Sequence, residues 1–396
     1  MMSPGRYFVV PVLLLTVSLP AQGNEHFRYP KGKHGKGELK YIHGVPVLVV
    51  EGTPDEIGEQ VAVLAGKPAK RLMNYPKEAV SHLATPVGMK LLWPTIVKQG
   101  NKLHDNFPED YRRELDAMIK TSGVEREPGI IANTIFDLKY LFMALFGCSA
   151  IVVDADRSQT GQPLFGRNMD HVGLGYLPDY TLVTVYRPKG KHAFASIGWP
   201  GVVGVISGIN DAGLAVAALE TTGAPKEEGP IFDPKGVPFA LCYRRVLEEC
   251  STVEEAEKLL RDMKRATTNN LAVCDKKSSA VFEFTPTRLV SRRGEKGMCL
   301  CTNHFCTAEL KLAKPKNTKT TLDRYATLTK ALTEEKKLGV ADVQRYLDAA
   351  NQGEETLQTM IFEPAALTLH LATADGKRPA SGEKLKKLDL STLLKR

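Results

Sequence analysis

The sequence predicts an α+β fold in which a mostly helical first part precedes a part where strands and helices alternate. From Thr53 to about Lys139, apolar residues recur at helical spacing between prolines. Farther along, short apolar runs rich in β-branched residues are separated by glycine-rich turns, with helical segments between them. The character of the sequence changes at Gly147-Cys148, which predicts a boundary between residues 24–147 and residues 148–396.

The composition is that of a globular chain with a basic surface. Of 396 residues, 43% are hydrophobic and 25% are charged, which is enough apolar material for a sizeable core. The net charge of +8 comes in part from lysines between residues 31 and 40 and from the last residues of the chain. Neither group is interleaved with aromatic residues, and no nucleic-acid motif accompanies them. We therefore expect solvated tails and no nucleic-acid partner.

Residues 1–23 have the pattern of a secretory signal peptide. Arg6 supplies a positive start, Tyr7–Leu19 is an apolar run, and small residues on either side of Gln22 form a cleavage site. The mature protein is therefore expected to be exported, either to a periplasm or out of the cell.

No stable membrane span is expected. The first apolar run is shorter than the roughly 20 residues that cross a bilayer as a helix. A later apolar stretch, just before Cys148, is interrupted by the charges of Asp137 and Lys139. The mature chain is thus expected to be soluble.

The helical part begins with a clear start signal. Thr53 suits the N-cap position, Pro54 the first helical position, and Glu56 the reciprocal position of a capping box. Val47–Val50 predicts a short strand before it. The preceding segment, 24–40, is rich in glycine and lysine and is expected to be a mobile lead-in.

Strands and helices alternate after Cys148. The predicted strands cover residues 181–186, 193–198, 202–207, 213–218, 271–274, 280–283, 298–302 and 367–372. The predicted helices cover residues 238–249, 251–264, 322–332 and 340–349, the second of them opening with a capping box at Ser251.

A hairpin at the boundary carries reactive residues at its ends. Ile151–Val153 is one strand, residues 154–163 are rich in turn formers, and Leu164–Asn168 returns. In a suitable register this hairpin brings Cys148, Arg167 and Asp170 together. A cysteine after a glycine at a strand start is, by itself, more often a small buried hydrophobe than a nucleophile, and the charged cluster at the returning end favours the nucleophile.

The remaining cysteines permit other interpretations. With Cys148 set aside, six are left, an even number that is compatible with disulfides in an exported protein, although their pairing is not determined by sequence. A zinc site formed by neighbouring thiols and His304 is the other alternative, but its spacing matches no structural zinc motif (Cys299, Cys301, His304, Cys306). We therefore predict no metal and no cofactor.

Several motifs, in order along the chain, resemble the cysteine N-terminal-nucleophile (Ntn) hydrolases of the isopenicillin N acyltransferase-like family, which are related to choloylglycine hydrolase and acid ceramidase. The most specific is residues 165–170, Phe-Gly-Arg-Asn-Met-Asp, which follows Cys148-Ser149-Ala150. The others are the Asn-containing turn 207–214, the pair Thr302-Asn303, the helix segment 323–325, the opening segment 53–58 and the closing segment 362–372.

The resemblance implies a four-layer αββα sandwich that is made as an inactive precursor with a mostly helical pro-segment. Such enzymes cut the peptide bond before the cysteine, here Gly147–Cys148, and the N-terminal fragment would then be a partner of the catalytic chain. A thiol with a pKa of about 8.5 needs a base. A free α-amine with a pKa of about 7.7–8.0 on the same residue supplies one.

The resemblance also implies roles for individual residues. Cys148 is the nucleophile, Asp170 orients its amine, and Arg167 holds Asp170 or the thiolate. Either Asn270 or Asn303 is the oxyanion-hole residue, and the choice between them stays open. The remaining implied site residues are Asn210 as a further oxyanion donor, Arg324 as the downstream arginine, and Glu220 as an acidic substrate-binding residue.

The expected activity is cleavage of a small N-acylated amide through an acyl-thioester, with either water or an amine as the acceptor. One alternative is a secreted scaffold that keeps the fold and binds an acylated ligand without turnover. Another is a lipid or ester hydrolase on the same fold, because thiolates also attack esters. Retention of Cys148, Arg167 and Asp170 together favours the enzyme.

Overall fold

The computed structural model describes residues 27–141, 146–221, 223–312 and 319–395, so the predicted signal peptide lies outside the described residues. Its strands are β1 Gly32–His34, β2 Gly37–Ile42, β3 Val45–Gly52, β4 Phe146–Val153, β5 Leu164–His171, β6 Leu182–Pro188, β7 Phe194–Gly198, β8 Ser207–Asn210, β9 Ala215–Glu220, β10 Asn269–Cys274, β11 Ser279–Phe284, β12 Leu289–Arg292, β13 Met298–Cys301, β14 Thr356–Glu363, β15 Thr368–Thr373 and β16 Lys386–Asp389. Its α-helices are α1 Pro54–Leu72, α2 Tyr75–Leu83, α3 Pro86–His104, α4 Glu109–Ser122, α5 Arg126–Thr134, α6 Phe239–Glu249, α7 Val253–Asp262, α8 Lys319–Thr329, α9 Val340–Ala349 and α10 Ser391–Leu394.

Two sheets form the centre of the protein. The larger has the strand order β1-β2-β3-β6-β7-β8-β9-β10-β11-β12, and the smaller has the order β13-β4-β5-β14-β15-β16. Helices α1, α6 and α7 pack on the larger sheet, whereas α8 and α9 pack on the smaller one. Strands β4 and β9 contact each other between the sheets. The layers therefore run helix, sheet, sheet, helix, and the predicted αββα sandwich is confirmed.

Alternation along β4 decides where the candidate nucleophile points. Cys148, Ala150 and Val152 belong to the core between the two sheets. Ile151 and Val153 belong to a second core, which includes apolar residues of α8 and α9. Because successive side chains on a strand point to opposite faces, Cys148 faces the larger sheet, while its neighbour Ser149 faces the helical layer.

The N-terminal part contributes strands as well as helices. Residues 32–52 form β1, β2 and β3, so the prediction that residues 24–40 are a mobile lead-in is wrong for the strands at 32–34 and 37–42. The segment is rich in polar residues because an antiparallel strand at the end of a sheet needs only one apolar face, and Leu39 of β2 is buried on that face. Strand β3 pairs in parallel with β6 from Val47↔Val183 to Gly52↔Pro188. Residues before and after position 147 thus share one sheet.

A buried ionic network also joins the two parts. The guanidinium of Arg244 on α6 donates to Glu114 of α4 at 2.6 Å and to Glu248 at 2.8 Å. All three side chains are almost fully buried. Removing one partner of such a pair leaves an uncompensated buried charge, which is strongly destabilising. The network therefore helps to hold α4 of the N-terminal part against α6.

Other elements differ from the sequence-based expectations in detail. Strand β14, which lies between β5 and β15, was not predicted, nor were β12 and β16. The strand predicted at 202–207 is found at β8, a few residues later. The predicted N-cap of α1 is confirmed, since Thr53 and Glu56 bond reciprocally. The N-cap of α7 is Thr252 and not Ser251.

No helix in the described ranges is long and apolar enough to cross a membrane.

Candidate active site

The β4–β5 hairpin brings the predicted reactive residues together. Its antiparallel register pairs Cys148 with Met169, Gly147 with Asp170, and Ala150 with Arg167. Cys148 and Ala150 point to the same face of β4. The side chain of Arg167 therefore lies on the same face as the thiol, as the hairpin prediction required.

The Cys148 thiol is buried against a guanidinium. Arg167 Nη2 donates to Cys148 Sγ at 3.0 Å, and both residues are buried. Arg167 is held by Ser207 Oγ and by the carbonyl of Ile206. Burial raises the pKa of the Cys148 thiol, and the charge of Arg167 and the backbone N–H of Asp170 oppose that rise. The site thus provides a counter-charge for a thiolate in a place where burial alone would suppress it.

Hydrogen bonds with two other residues hold the backbone N–H and the carbonyl of Cys148. Its N–H donates to Asn303 Oδ1 at 2.7 Å, and its carbonyl accepts from Arg324. Arg324 also donates to Asn303 Oδ1 at 2.9 Å and to Ser149 Oγ at 3.0 Å. Asn303 and Arg324 therefore fix the nitrogen that would become the free α-amine after cleavage at Gly147.

Asp170 lies beside the predicted cleavage bond. Its carboxylate accepts from Thr356 Oγ1 at 2.7 Å and from Gln352 Nε2 at 2.8 Å. Burial raises the pKa of Asp170 to about 6, against the opposing influence of Arg324, of these two hydrogen bonds and of Arg167. This carboxyl group therefore changes charge in the pH range just below neutral.

A side chain at position 147 would meet Gln352. A Cβ at this position would lie 1.5 Å from Gln352 Nε2, the atom that holds Asp170. No other amino acid fits without displacing the Gln352 side chain.

The side-chain amides of the two candidate oxyanion residues, Asn270 and Asn303, have different hydrogen-bond partners. Asn270 Nδ2 donates to the carbonyls of Thr302 and His304, each at 3.1 Å, so both of its hydrogens hold the loop that carries Asn303. Asn303 Nδ2 makes one hydrogen bond, to the carbonyl of Glu220 at 2.9 Å. Since an amide nitrogen carries two hydrogens, Asn303 retains one for an oxyanion next to Cys148.

Asn210 lies apart from this group. Its amide donates to the carbonyls of Leu247 and Cys250 at the end of α6, at 3.0 and 2.7 Å, and its oxygen accepts from Leu214 N at 2.9 Å. Both donor hydrogens are engaged, so Asn210 fastens the β8–β9 turn to α6. In the described chain it has no hydrogen bond to the residues around Cys148.

Glu220 ends β9 next to two charged residues that sequence reasoning did not assign to the site. Burial raises the pKa of Glu220 to about 8, although Lys139 opposes the rise. Lys139 and Asp137 come from the 3₁₀ segment Ile135–Leu141 and are both buried. Their only signal in the sequence was their charge within an otherwise apolar stretch.

The other cysteines form no second centre. All seven thiols are free, so the disulfides that their number allowed are not formed. Among the described residues, no group of three or more His, Cys, Asp or Glu side chains is arranged to hold a metal ion.

Comparison with known protein sequences finds a relative of low sequence identity. A curated relative from Archaeoglobus fulgidus, described as an uncharacterized protein, is 22% identical over 404 residues, with 87% of this chain and 65% of the relative in the match. The chain therefore spans less than two thirds of the relative that it matches.

The solved structures are similarly distant. A mutant of conjugated bile acid hydrolase from Clostridium perfringens is 14% identical, covers 62% of this chain and 93% of its own, and has a TM-score of 0.41. An N-acylethanolamine-hydrolyzing acid amidase ortholog from Caenorhabditis elegans is 16% identical (55% and 93% covered, TM-score 0.41). Penicillin V acylase from Agrobacterium tumefaciens is also 16% identical (61% and 92% covered, TM-score 0.40).

A family profile gives the assignment. The profile of acyl-coenzyme A:6-aminopenicillanic acid acyl-transferase matches residues 157–378, which is more than half of the chain. The match includes Arg167, Asp170, Asn303 and Arg324 and begins after Cys148. The chain belongs to the acyl-coenzyme A:6-aminopenicillanic acid acyl-transferase family.

Proposed function

We propose that this protein is an exported, self-processing amidohydrolase or acyltransferase that uses Cys148 as an N-terminal nucleophile on N-acylated amines. The observation that carries the proposal is the environment of Cys148. Its sulfur lies 3.0 Å from the buried guanidinium of Arg167, and its nitrogen is held by Asn303 Oδ1 at 2.7 Å. Neighbouring side chains therefore contact both atoms of Cys148 that such chemistry uses, the sulfur and the α-nitrogen.

Self-cleavage is the first step of the proposed mechanism. The sulfur attacks the Gly147 carbonyl, the Gly147–Cys148 C–N bond breaks, and the proton of the thiol passes to the departing nitrogen. The resulting thioester is hydrolysed by water, which leaves a carboxylate on Gly147 and a free thiol and α-amine on Cys148. Asn303 and Arg324 hold the backbone of Cys148 during these steps.

Substrate turnover repeats the attack on an external amide. The α-amine of Cys148 takes the thiol proton, and Arg167 stabilises the thiolate. The remaining hydrogen of Asn303 Nδ2 stabilises the oxyanion. The amine product leaves with the proton, and either water or another amine takes the acyl group from sulfur. Asp170 keeps the amine end of the site in place through its bonds to Thr356 and Gln352.

The processing step is tested on the purified wild-type protein. N-terminal sequencing is expected to find a chain that begins at Cys148, and native size-exclusion chromatography is expected to keep the two fragments together, because β3 pairs with β6 across them. Incubation with N-acyl amino acids, N-acyl lactones, bile-salt conjugates and ceramides should release an amine from at least one class. An uncut protein that is nevertheless active would refute the processing step, and a processed protein that turns over no amide or ester would favour a binding protein.

The pH dependence of turnover follows from Asp170. Its pKa is raised to about 6, so its negative charge is lost as the pH falls through that value. We expect Asp170 to add an inflection near pH 6 to the acid side of the kcat/KM profile, below the fall caused by protonation of the Cys148 α-amine, whose pKa is about 7.7–8.0. In Asp170→Asn, which is uncharged at every pH, the residual rate should lack this inflection, whereas the matched surface variant Asp262→Asn should keep it. An unchanged profile in Asp170→Asn would assign the titration to another group.

A further inference from the structure

A set of buried polar side chains lies beside the active site without partners. In the described part of the chain, hydrogen-bond partners are lacking for Lys139 Nζ, for both carboxylate oxygens of Glu220 and for Asp137 Oδ2. The same holds for Thr221 Oγ1, and the Tyr243 hydroxyl and the Asn269 amide interact with each other but make no further hydrogen bond there. We call these six residues the buried polar cluster: Asp137, Lys139, Glu220, Thr221, Tyr243 and Asn269.

The members of the buried polar cluster are neighbours in the fold. Glu220 pairs with Asn269 across β9 and β10, and the side chain of Asn269 lies beside that of Tyr243 on α6. Asp137 Oδ1 accepts from the N–H of Phe239 at 3.1 Å, and Lys139 Nζ lies 5.6 Å from the centre of the Phe239 ring. The N-terminal segment and the catalytic part therefore both supply members.

Two hydrogen bonds connect this cluster to the nucleophile. The carbonyl of Glu220 accepts from Asn303 Nδ2 at 2.9 Å, and Asn303 Oδ1 accepts from Cys148 N at 2.7 Å. The charges of Lys139 and Cys148 also act on each other. The buried polar cluster is therefore linked to the Cys148 site through Asn303.

The chemistry of the buried polar cluster favours an anionic ligand group. Buried charges and polar groups are normally paired, because burial without a partner is costly. Lys139 makes no direct ion pair in the described chain, although it is almost completely buried and the nearby carboxylates of Glu220 and Asp137 act on its charge. Its ammonium group, the Thr221 hydroxyl, the Tyr243 hydroxyl and the Asn269 amide are all donors. Burial raises the pKa of Glu220 to about 8, which makes this residue a further donor near neutral pH.

We propose that Lys139 is a specificity-determining residue that binds a carboxylate on the amine side of the substrate, so that N-acyl amino acids are the preferred substrate class. Thr221 and Asn269 donate to the same carboxylate, and Glu220 lies next to it. This inference depends on the proposed function, because it concerns the substrate of the Cys148 site. It also gives the N-terminal segment a direct part in recognition, since Lys139 precedes the cleavage bond.

A matched pair of amides tests this inference. N-lauroylglycine and N-lauroylethanolamine have the same acyl chain. On the amine side, the first carries a carboxylate where the second carries a hydroxymethyl group. Wild-type protein is expected to show a kcat/KM about 10- to 100-fold higher for the glycine amide, the range of one hydrogen bond to a charged group. Lys139→Met should bring the ratio close to one by lowering the rate on the glycine amide, with turnover of the ethanolamine amide and cleavage at Gly147 retained.

The controls separate recognition from structure. Lys67→Met removes the charge of an exposed lysine on α1 and should keep the wild-type ratio. Equal wild-type rates on the two amides, or an equal loss on both in Lys139→Met, would overturn the inference while leaving the proposed function intact. A processed wild type that cleaves neither amide nor any other would overturn both.

A second measurement needs no variant. Free glycine is expected to inhibit the wild-type protein at a lower concentration than ethanolamine does, because only glycine carries the carboxylate that Lys139 binds. Equal inhibition by glycine and ethanolamine would contradict the inference even if Lys139→Met failed to fold.

Discussion

Cys148→Ala is expected to give a single uncut chain with no amidase activity. The substitution removes the sulfur that, in the proposed mechanism, attacks both the Gly147 carbonyl and the substrate, so both processing and turnover should be lost together. The change is small and lies in a buried position, so the protein should still fold. Intact-mass measurement and release of amine from a substrate of the wild-type protein check the two losses separately.

A matched cysteine serves as the control for this variant. Cys250 is also a buried free thiol, but it lies after α6 and makes no hydrogen bond to the Cys148 site. Cys250→Ala should be processed and active. If Cys148→Ala were still cut at the same bond, or still turned over substrate, another residue would have to be the nucleophile and the proposed mechanism would fail.

Asn303→Asp is expected to lower kcat by about 10²- to 10³-fold, the loss typical of one oxyanion donor. The aspartate keeps an oxygen for Cys148 N and Arg324 but removes both amide hydrogens, so the oxyanion loses its side-chain donor and gains a negative charge nearby. KM should change less than kcat, because the oxyanion develops in the transition state. Steady-state kinetics on protein confirmed to be processed measures both constants.

Asn210→Asp distinguishes this effect from a general loss of structure. Asn210 uses both amide hydrogens on carbonyls at the end of α6. Its substitution should therefore lower the midpoint of thermal unfolding while the folded protein keeps its kcat. The opposite result, a large loss of kcat in Asn210→Asp and a small one in Asn303→Asp, would return the oxyanion role to Asn210.

The hairpin part of the site was predictable because it is local. Strand periodicity and the turn-forming residues 154–163 between β4 and β5 place Cys148, Arg167 and Asp170 within one antiparallel pair, and the observed register agrees. The helical character of residues 54–134 and the α+β class follow from patterns of the same kind. Sequence therefore determined the fold class and, together with the family resemblance, the candidate nucleophile and two of its charged neighbours.

Tertiary structure decided everything that depends on distant contacts. The choice between Asn270 and Asn303 required knowing which carbonyls occupy their hydrogens. The burial of Lys139 near Glu220 depends on how the segment Ile135–Leu141 packs among residues distant in sequence. No local pattern encodes such contacts, because they join residues far apart in sequence through sheet packing. A charge in an apolar stretch is ambiguous until its surroundings are known.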